Sequence, residues 1–404
     1  MIPMATPMFG RGGAGAPAPF SPLDLNPYAW FDFNQQAEAN LGAISTLVDR
    51  SPNGRDFAQS NATFKPHLLH SDINSTKVGQ FGQNTGGSNT CTFLERASSF
   101  LSGVTAAHAF ALIRARDDPS IGPWDGGFLG QMENHAGDTH VPYSDFNSYS
   151  GFCSSARKTF VHGWDLSQWN IWEEWSAGSD YGVNINGWPV YSTATNTVSI
   201  DASTRRIGSG STITASAYFR GKIADMLFFN SKLSAGDSAD LLLYLAEKIG
   251  IENRLINTHP GKTYPTAQRW RIRAIDTDGT NDAFGMRELQ AYATTDGTGT
   301  DLFAGGTAIS SHNDGSYPNT NAFNGNTADF WTSLGSVKPT GGHWIGRIAT
   351  GAIQPKSFRM QTRGDFNETP KKYTIEYSTD AGATWNMQRS GGAIAGNTWV
   401  VIPL

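Results

Sequence analysis

Only two cysteines, Cys91 and Cys153, occur in the 404 residues. That is too few for a disulfide framework, and their separation fits no metal site, so both are expected to be unpaired, buried and structural. No run of about 18 apolar residues exists, which argues against a membrane-spanning helix. Charge is scarce as well: Asp, Glu, Lys and Arg make up 16% and the formal net charge is -5. No basic stripe is available for a phosphate backbone, so nucleic acid is not an expected partner. The first residues, MIPMATPMFGRGGAGAPAPF, lack a basic start followed by an apolar core, and the reading expects no secretory leader and assembly in a cytoplasm. What is plentiful is glycine, with 45 residues, and aromatic side chains, at 12%. Strands joined by turns suit that balance better than helices, and the length allows two or three domains with cores of their own. The expected class is all-β.

Local signals organise the chain. In GKIADMLFFNSKLSAGDSADLLLYLAEKIGI, Ile223, Met226 and Phe228 mix with polar residues, which predicts a half-buried strand. Ser234, three residues before Asp237, predicts an N-cap; Leu241, Leu242, Leu245 and Ile249 form one apolar stripe, and Gly250 supplies the stop. Asn186-Gly187 between strand-like runs predicts a tight hairpin. Residues 1–21 hold Gly, Ala and Pro without periodicity and read as an arm. Its Met1, Ile2, Met4, Met8, Phe9 and Phe20 are costly to leave in water and are expected to lie on a neighbouring subunit. Residues 22–256 form the first domain, 257–264 the linker, where NTHPGKTYPT follows the helix, and 265–404 the second.

Two resemblances follow from these motifs. The closing strand and helix, with PYAWFDF at Pro27–Phe33, VDRSPNGRDFAQ at Val48–Gln59, TKVGQFG at Thr76–Gly82, HVPYSD at His140–Asp145 and DYGVNINGWPVYST at Asp180–Thr193, resemble concanavalin A-like, laminin G-type jelly rolls of bacteriophage virion proteins. After the linker, WRIRAIDTDG, FGMRELQAYA, NAFNGNTADFWTS, HWIGRIATG and PKKYTIEYSTDAGATW resemble the discoidin-like fold of coagulation-factor C-terminal modules and of many carbohydrate-binding modules. The RELQ strand, normally last in that fold, comes early here. The implied architecture is two antiparallel β-sandwiches behind an extended arm. The implied function is a non-enzymatic virion protein for attachment or decoration, homo-oligomeric, held to other virion proteins by arm or jelly roll and presenting a domain to host-surface glycan. A glycan-degrading tail enzyme and a non-viral bacterial carbohydrate-binding protein are the alternatives.

The resemblance also implies site residues. Glycan-binding relatives use loop aromatics, Arg and Asn at one end of the sandwich, for which Tyr317, Trp331, Arg363 and Asn367 are available, although Trp331 suits a core equally well. Relatives hold calcium with loop carbonyls, a carboxylate and a glutamate; the matching residues are Asn324, Asn326 and Glu288, and Asn324 in place of an acid removes one charge. The Arg363-Gly364-Asp365 tripeptide falls where relatives carry a structural loop. In HGWDLSQWNIWEEWSAGSDYG, Glu173 and Glu174 are the acids a glycosidase would need, about 5–9.5 Å apart. Neighbours on a strand diverge to opposite faces, and the E-x-D-x-E run of laminarin-type hydrolases is absent, so no catalysis is expected. Trp164, Trp169, Trp172 and Trp175 are expected to pack. His135, His140, Glu133 and Asp138, like the pair His67 and His70, fit no metal spacing.

Overall fold

The computed structural model describes residues 19–404 except 83–90, 97–100, 102, 116–139, 145–146, 201–204, 210–218, 257, 278–282, 314, 334–341 and 365–367. The fold is all-β, built from antiparallel sheets. In the first half the main sheet runs in the order Trp188–Thr193, Asp180–Ile185, Asn170–Ala177, Ala107–Ala115, Gly221–Phe229, Thr76–Phe81 and His67–Ile73, with Ala29–Asp32 also paired to Gly221–Phe229. Two smaller sheets accompany it. One joins Arg205–Ile207, Leu94–Arg96, Phe57–Ala58 and Thr46–Leu47, the other Lys158–Val161, Asn147–Ser150 and His140–Ser144.

The Gly221–Phe229 strand is not half-buried, as its mixed pattern predicted, but buried almost throughout. It sits in the middle of the sheet and both faces are covered. Ile223, Met226 and Phe228 belong to the core shared with Phe31, Phe57, Phe81 and Trp172. Ala224, Leu227 and Phe229 lie on the other side with Leu241, Leu242, Leu245 and Ile249 of the helix Ala235–Ile249. That helix has the expected ends. The Ser234 hydroxyl accepts the Asp237 amide at 3.2 Å, and Gly250 is left-handed. A register shift between Ile223 and Asp225 accompanies one polar group in this layer. The Asp225 carboxylate, fully buried, receives the Trp30 indole N–H at 2.7 Å and the Lys248 ammonium at 2.5 Å, and Lys248 also reaches Asp32 at 2.7 Å. Burial pushes the Asp225 carboxyl up to about 6 although Lys248 pulls it down. Burial alone would lower Lys248, but Asp225 and Asp32 hold it above its ordinary range.

The Asn186-Gly187 hairpin is formed, with both residues at positive φ. Phe20 packs edge-on against Tyr244 of the helix at 6.0 Å. The remaining arm residues lie outside the described ones. Neither Cys91 nor Cys153 is in a disulfide, and both are buried.

In the second half, a five-stranded sheet in the order Thr307–Ser310, His343–Ile353, Ala267–Thr277, Pro370–Ser378 and Asn386–Gly391 faces a four-stranded sheet of Trp331–Thr332, Gly285–Tyr292, Ser357–Thr362 and Trp399–Pro403. Trp270, Ile272, Leu289, Phe358 and Ile375 fill the space between. The two halves touch through polar contacts. The Asp165 amide donates to Ser390 Oγ at 2.8 Å, Asn253 and Gln388 exchange bonds at 2.9 and 2.7 Å, and Arg254 bridges the carbonyls of Trp169 and Met387. Gly163, at positive φ, lies so close to Gly392 that an added Cβ would stand 2.2 Å from its nitrogen. No helix among the described residues is long and apolar enough to cross a membrane.

Candidate functional site

At one edge of the second sandwich, three side chains form a ladder. Tyr317 is 39% exposed and stacks on Phe330, with centroids 4.7 Å apart and planes 20° apart. The Arg363 guanidinium lies 3.8 Å from the centre of the same Phe330 ring. Its orientation is fixed from below: Arg363 Nη1 donates to both oxygens of Glu368, at 3.0 and 3.2 Å, and Glu368 is buried. Gly285 makes room for that pair, since a Cβ there would stand 2.4 Å from Glu368 Oε2. An exposed ring on a half-buried ring, backed by an anchored and largely buried cation, offers a flat apolar face in a positive field. Such a surface suits a ligand with C–H groups on one side and hydroxyl or carboxylate oxygens at its edge.

The structure thus brings Tyr317 and Arg363 together through Phe330, which the sequence reading passed over. Trp331 is corrected. It is fully buried, edge-on to Phe284 at 5.7 Å, with its indole N–H donated to the His312 carbonyl at 2.7 Å. It has no face to offer a ligand. The reason is alternation: Trp331 points inward and its neighbour Phe330 outward. Asn367 and Asp365 lie outside the described residues.

Glu288 is 1% exposed. Burial raises its carboxyl above the ordinary range, while hydrogen bonds from the Gly325 and Asn326 amides pull it down. Its Oε1 atom has no hydrogen-bond partner among the described residues. Asn324 Oδ1 accepts the Asn326 amide at 2.8 Å, and the two side-chain amides donate to Asp329 at 3.3 and 2.9 Å. The available donors are oxygens only: the Glu288 carboxylate, whose Oε1 lacks a hydrogen-bond partner among the described residues although two backbone amides reach the group, and neutral amide oxygens. That set fits a hard cation such as calcium, bound weakly because it carries little charge, and does not fit zinc. No group of three His, Cys, Asp or Glu side chains gathers among the described residues.

Glu173 and Glu174 sit on opposite faces of the Asn170–Ala177 strand. Glu174, on the core side, accepts the Trp172 indole at 3.0 Å and the Tyr181 hydroxyl, and burial raises its pKa. Glu173, on the helix side, accepts Asn184 Nδ2 at 2.7 Å and faces His108 Nε2 at 3.2 Å. Trp164, Trp169 and Trp172 are buried, and Trp175 is half-buried. His67 and His70 bond the carbonyls of Leu41 and Glu38, and His135, Glu133, Asp138 and the His140 side chain lie outside the described residues.

A second cluster also escaped the sequence reading. On the outer face of the five-stranded sheet, Arg271 and Arg273 hold Glu376 at 2.6 and 2.7 Å, and the Arg271 guanidinium lies 4.0 Å from the Trp385 ring and 5.1 Å from Trp344. The alternation in WRIRAID and KYTIEYS carries the signal, because it puts Arg271, Arg273 and Glu376 on the non-core side.

Residues 306–404 match the F5/8 type C domain family. This part of the chain is a discoidin-like, F5/8 type C domain. The matched span of that domain begins at the Thr307–Ser310 strand, so the Ala267–Thr277 and Gly285–Tyr292 strands, both internal to its sheets, precede it. No curated protein matches the chain in sequence. Among solved structures, it is similar to Trypanosoma rangeli sialidase in complex with 2,3-difluoro-KDN, at 16% identity and TM-score 0.34, over 59% of this chain and 35% of that one. The chain thus spans about a third of the sialidase's length. Domain 4 of AbnA, a GH43 extracellular arabinanase from Geobacillus stearothermophilus in complex with arabinotriose, is 14% identical, at TM-score 0.36 over 54% of this chain and 98% of that one. A point mutant of HCR/D is 11% identical, at TM-score 0.39 over 95% and 98%.

Proposed function

We propose that the protein is a non-enzymatic carbohydrate-binding protein whose F5/8 type C domain takes sugar on the Tyr317–Phe330–Arg363 face. The observation that carries this reading is the exposed Tyr317 ring stacked on Phe330 beside an arginine anchored by a buried glutamate. A pyranose lays its C–H face on the aromatic ring while its hydroxyls meet the tyrosine O–H in the positive field of the guanidinium. Calcium at Glu288, with the Asn324 and Asn326 oxygens, would stiffen the neighbouring loop. The order of motifs in residues 22–256 supports a place in a phage virion, for attachment or decoration, with the partners being other virion proteins and host-surface glycan.

A glycan array probed with the full chain and with Tyr317→Ala tests the binding face. The variant should lose about tenfold in affinity, as expected for an exposed aromatic anchor; an unchanged profile overturns the assignment. Incubation with bacterial polysaccharide should release no reducing ends. Turnover by the wild type that is lost in a Glu173→Gln, Glu174→Gln variant would make the protein a hydrolase. Portal, capsid and tail genes beside its own support the virion; a polysaccharide-use cluster supports a non-viral binding protein.

A further inference from the structure

A cavity of about 330 Å3 lies on the helix side of the main sheet, and none of the residues of the face described above lines it. His108, Glu173, Asn184, Lys232 and His259 are among its polar lining, Leu242 and Ile256 form an apolar wall, and Ser238 of the first helical turn stands beside them. The charge balance at the polar end is unusual. Glu173 is 4% exposed, and the only groups that meet its carboxylate among the described residues are Asn184 and His108. Asn184 is neutral. The other nitrogen of His108, Nδ1, accepts the Leu233 amide at 3.1 Å, and Nε2 stands 3.2 Å from Glu173 without making a hydrogen bond.

The positive groups nearby are already engaged. Lys232 is held by Asp180 at 2.7 Å and lies 4.2 Å from the centre of the Trp175 ring. The positive end of the helix dipole is met by Asp237, which accepts the Ser234 hydroxyl at 2.7 Å in the first turn. A buried carboxylate whose one hydrogen bond comes from a neutral amide is costly, and a cationic ligand would relieve that cost.

We propose that this cavity binds a small primary amine, with the ammonium on Glu173 and the carbon skeleton along Leu242 and Ile256. The volume suits a single hexosamine or an alkyl diamine, near the lower limit for small-molecule pockets. This site is independent of the sugar-binding face on the F5/8 type C domain.

The test uses the full chain at neutral pH, with glucosamine, N-acetylglucosamine, glucose and 1,5-diaminopentane as probes, by thermal melting and titration calorimetry. Glucosamine should bind and raise the melting temperature, while glucose and N-acetylglucosamine, which lack the ammonium, should bind at least tenfold more weakly. If diaminopentane binds as well, the ammonium alone is recognised; if only glucosamine binds, the ring is read too. Either outcome supports the site. Glu173→Gln should abolish the response yet melt no lower than the wild type without ligand, because it removes an unbalanced charge and retains hydrogen-bonding capacity. Ser238→Trp, which blocks the cavity without touching Glu173, should abolish binding with the fold retained. Failure of every amine to bind, equal binding of glucose, or a full response in either variant overturns the proposal.

Discussion

Replacing Lys248 by Met isolates the ionic contact that ties the helix to the main sheet. The ammonium serves two carboxylates, Asp225 at 2.5 Å and Asp32 at 2.7 Å, and both are buried. Methionine retains the apolar path of the stem but leaves Asp225 and Asp32 facing each other with only the partly exposed Arg50, 3.8 Å from Asp32, as a neighbouring cation. Breaking one side of a buried ion pair costs about 3–5 kcal/mol, and losing a cation from the last helical turn adds about 0.3–1 kcal/mol. In a unit of this size each kcal/mol lowers the melting temperature by about 2–4 °C, so a fall of about 7–24 °C is expected. The effect has a pH signature. The folded Asp225 carboxyl titrates at about 6, above its ordinary value of 3.8. Between those values the folded protein holds a proton that the unfolded chain has released. This group's contribution is therefore fully present below about pH 4 and is lost as pH rises through about 6. Removing Lys248 takes away the charge that lowers Asp225, so the deficit should be largest near pH 8 and shrink towards pH 5. Urea unfolding followed by tryptophan fluorescence at both pH values measures it, and Asp225→Asn in the Lys248→Met background should restore part of the loss. A deficit below about 1 kcal/mol, or one equal at both pH values, would refute the reasoning.

Trp331→Ala should cost about 3–5 kcal/mol in calorimetry, as for a fully buried aromatic; a cost below about 1 kcal/mol would put Trp331 outside the core. Millimolar calcium should raise the melting temperature of the full chain relative to chelator, and Glu288→Gln should remove the shift; equal melting in both conditions would remove the metal from the proposal. Lys372 is fully buried, and burial lowers its pKa to about 6 from 10.5, so the unfolded chain binds the extra proton between those values and stability should rise with pH across that window. Urea midpoints at pH 6.5 and 9 should show this rise in the wild type and a flatter response in Lys372→Met.

What the sequence disclosed follows the range of the interactions involved. The helix was legible from Ser234 to Gly250 because its cap, stripe and stop lie within one stretch, and the Asn186-Gly187 turn because two residues define it. The Gly221–Phe229 strand was misjudged, since its burial depends on the helix and on strands far away in sequence. At the binding edge the error was one residue of phase: FW gives two candidates, and only the pairing of Trp331 with Met286 decides that the tryptophan turns inward. The cavity around Glu173 was not legible, because His108, Asn184 and Leu242 converge only once the sheet and helix have formed.

The close approach of Gly163 and Gly392 bears on how interchangeable the two sandwiches are. Modules on a loose tether can be swapped or reordered by cutting the tether, but here the junction is shared among the 163–165 turn, Asn253, Arg254 and the strand Asn386–Gly391. Recombination that exchanged only residues 265–404 would bring an unmatched surface to Asn253 and Arg254, and position 163 of the first sandwich, where any side chain would collide with the backbone at Gly392, must still be met by a partner that comes as close. A transplant that works must carry its docking partners from both sides, so the pair is inherited as one unit.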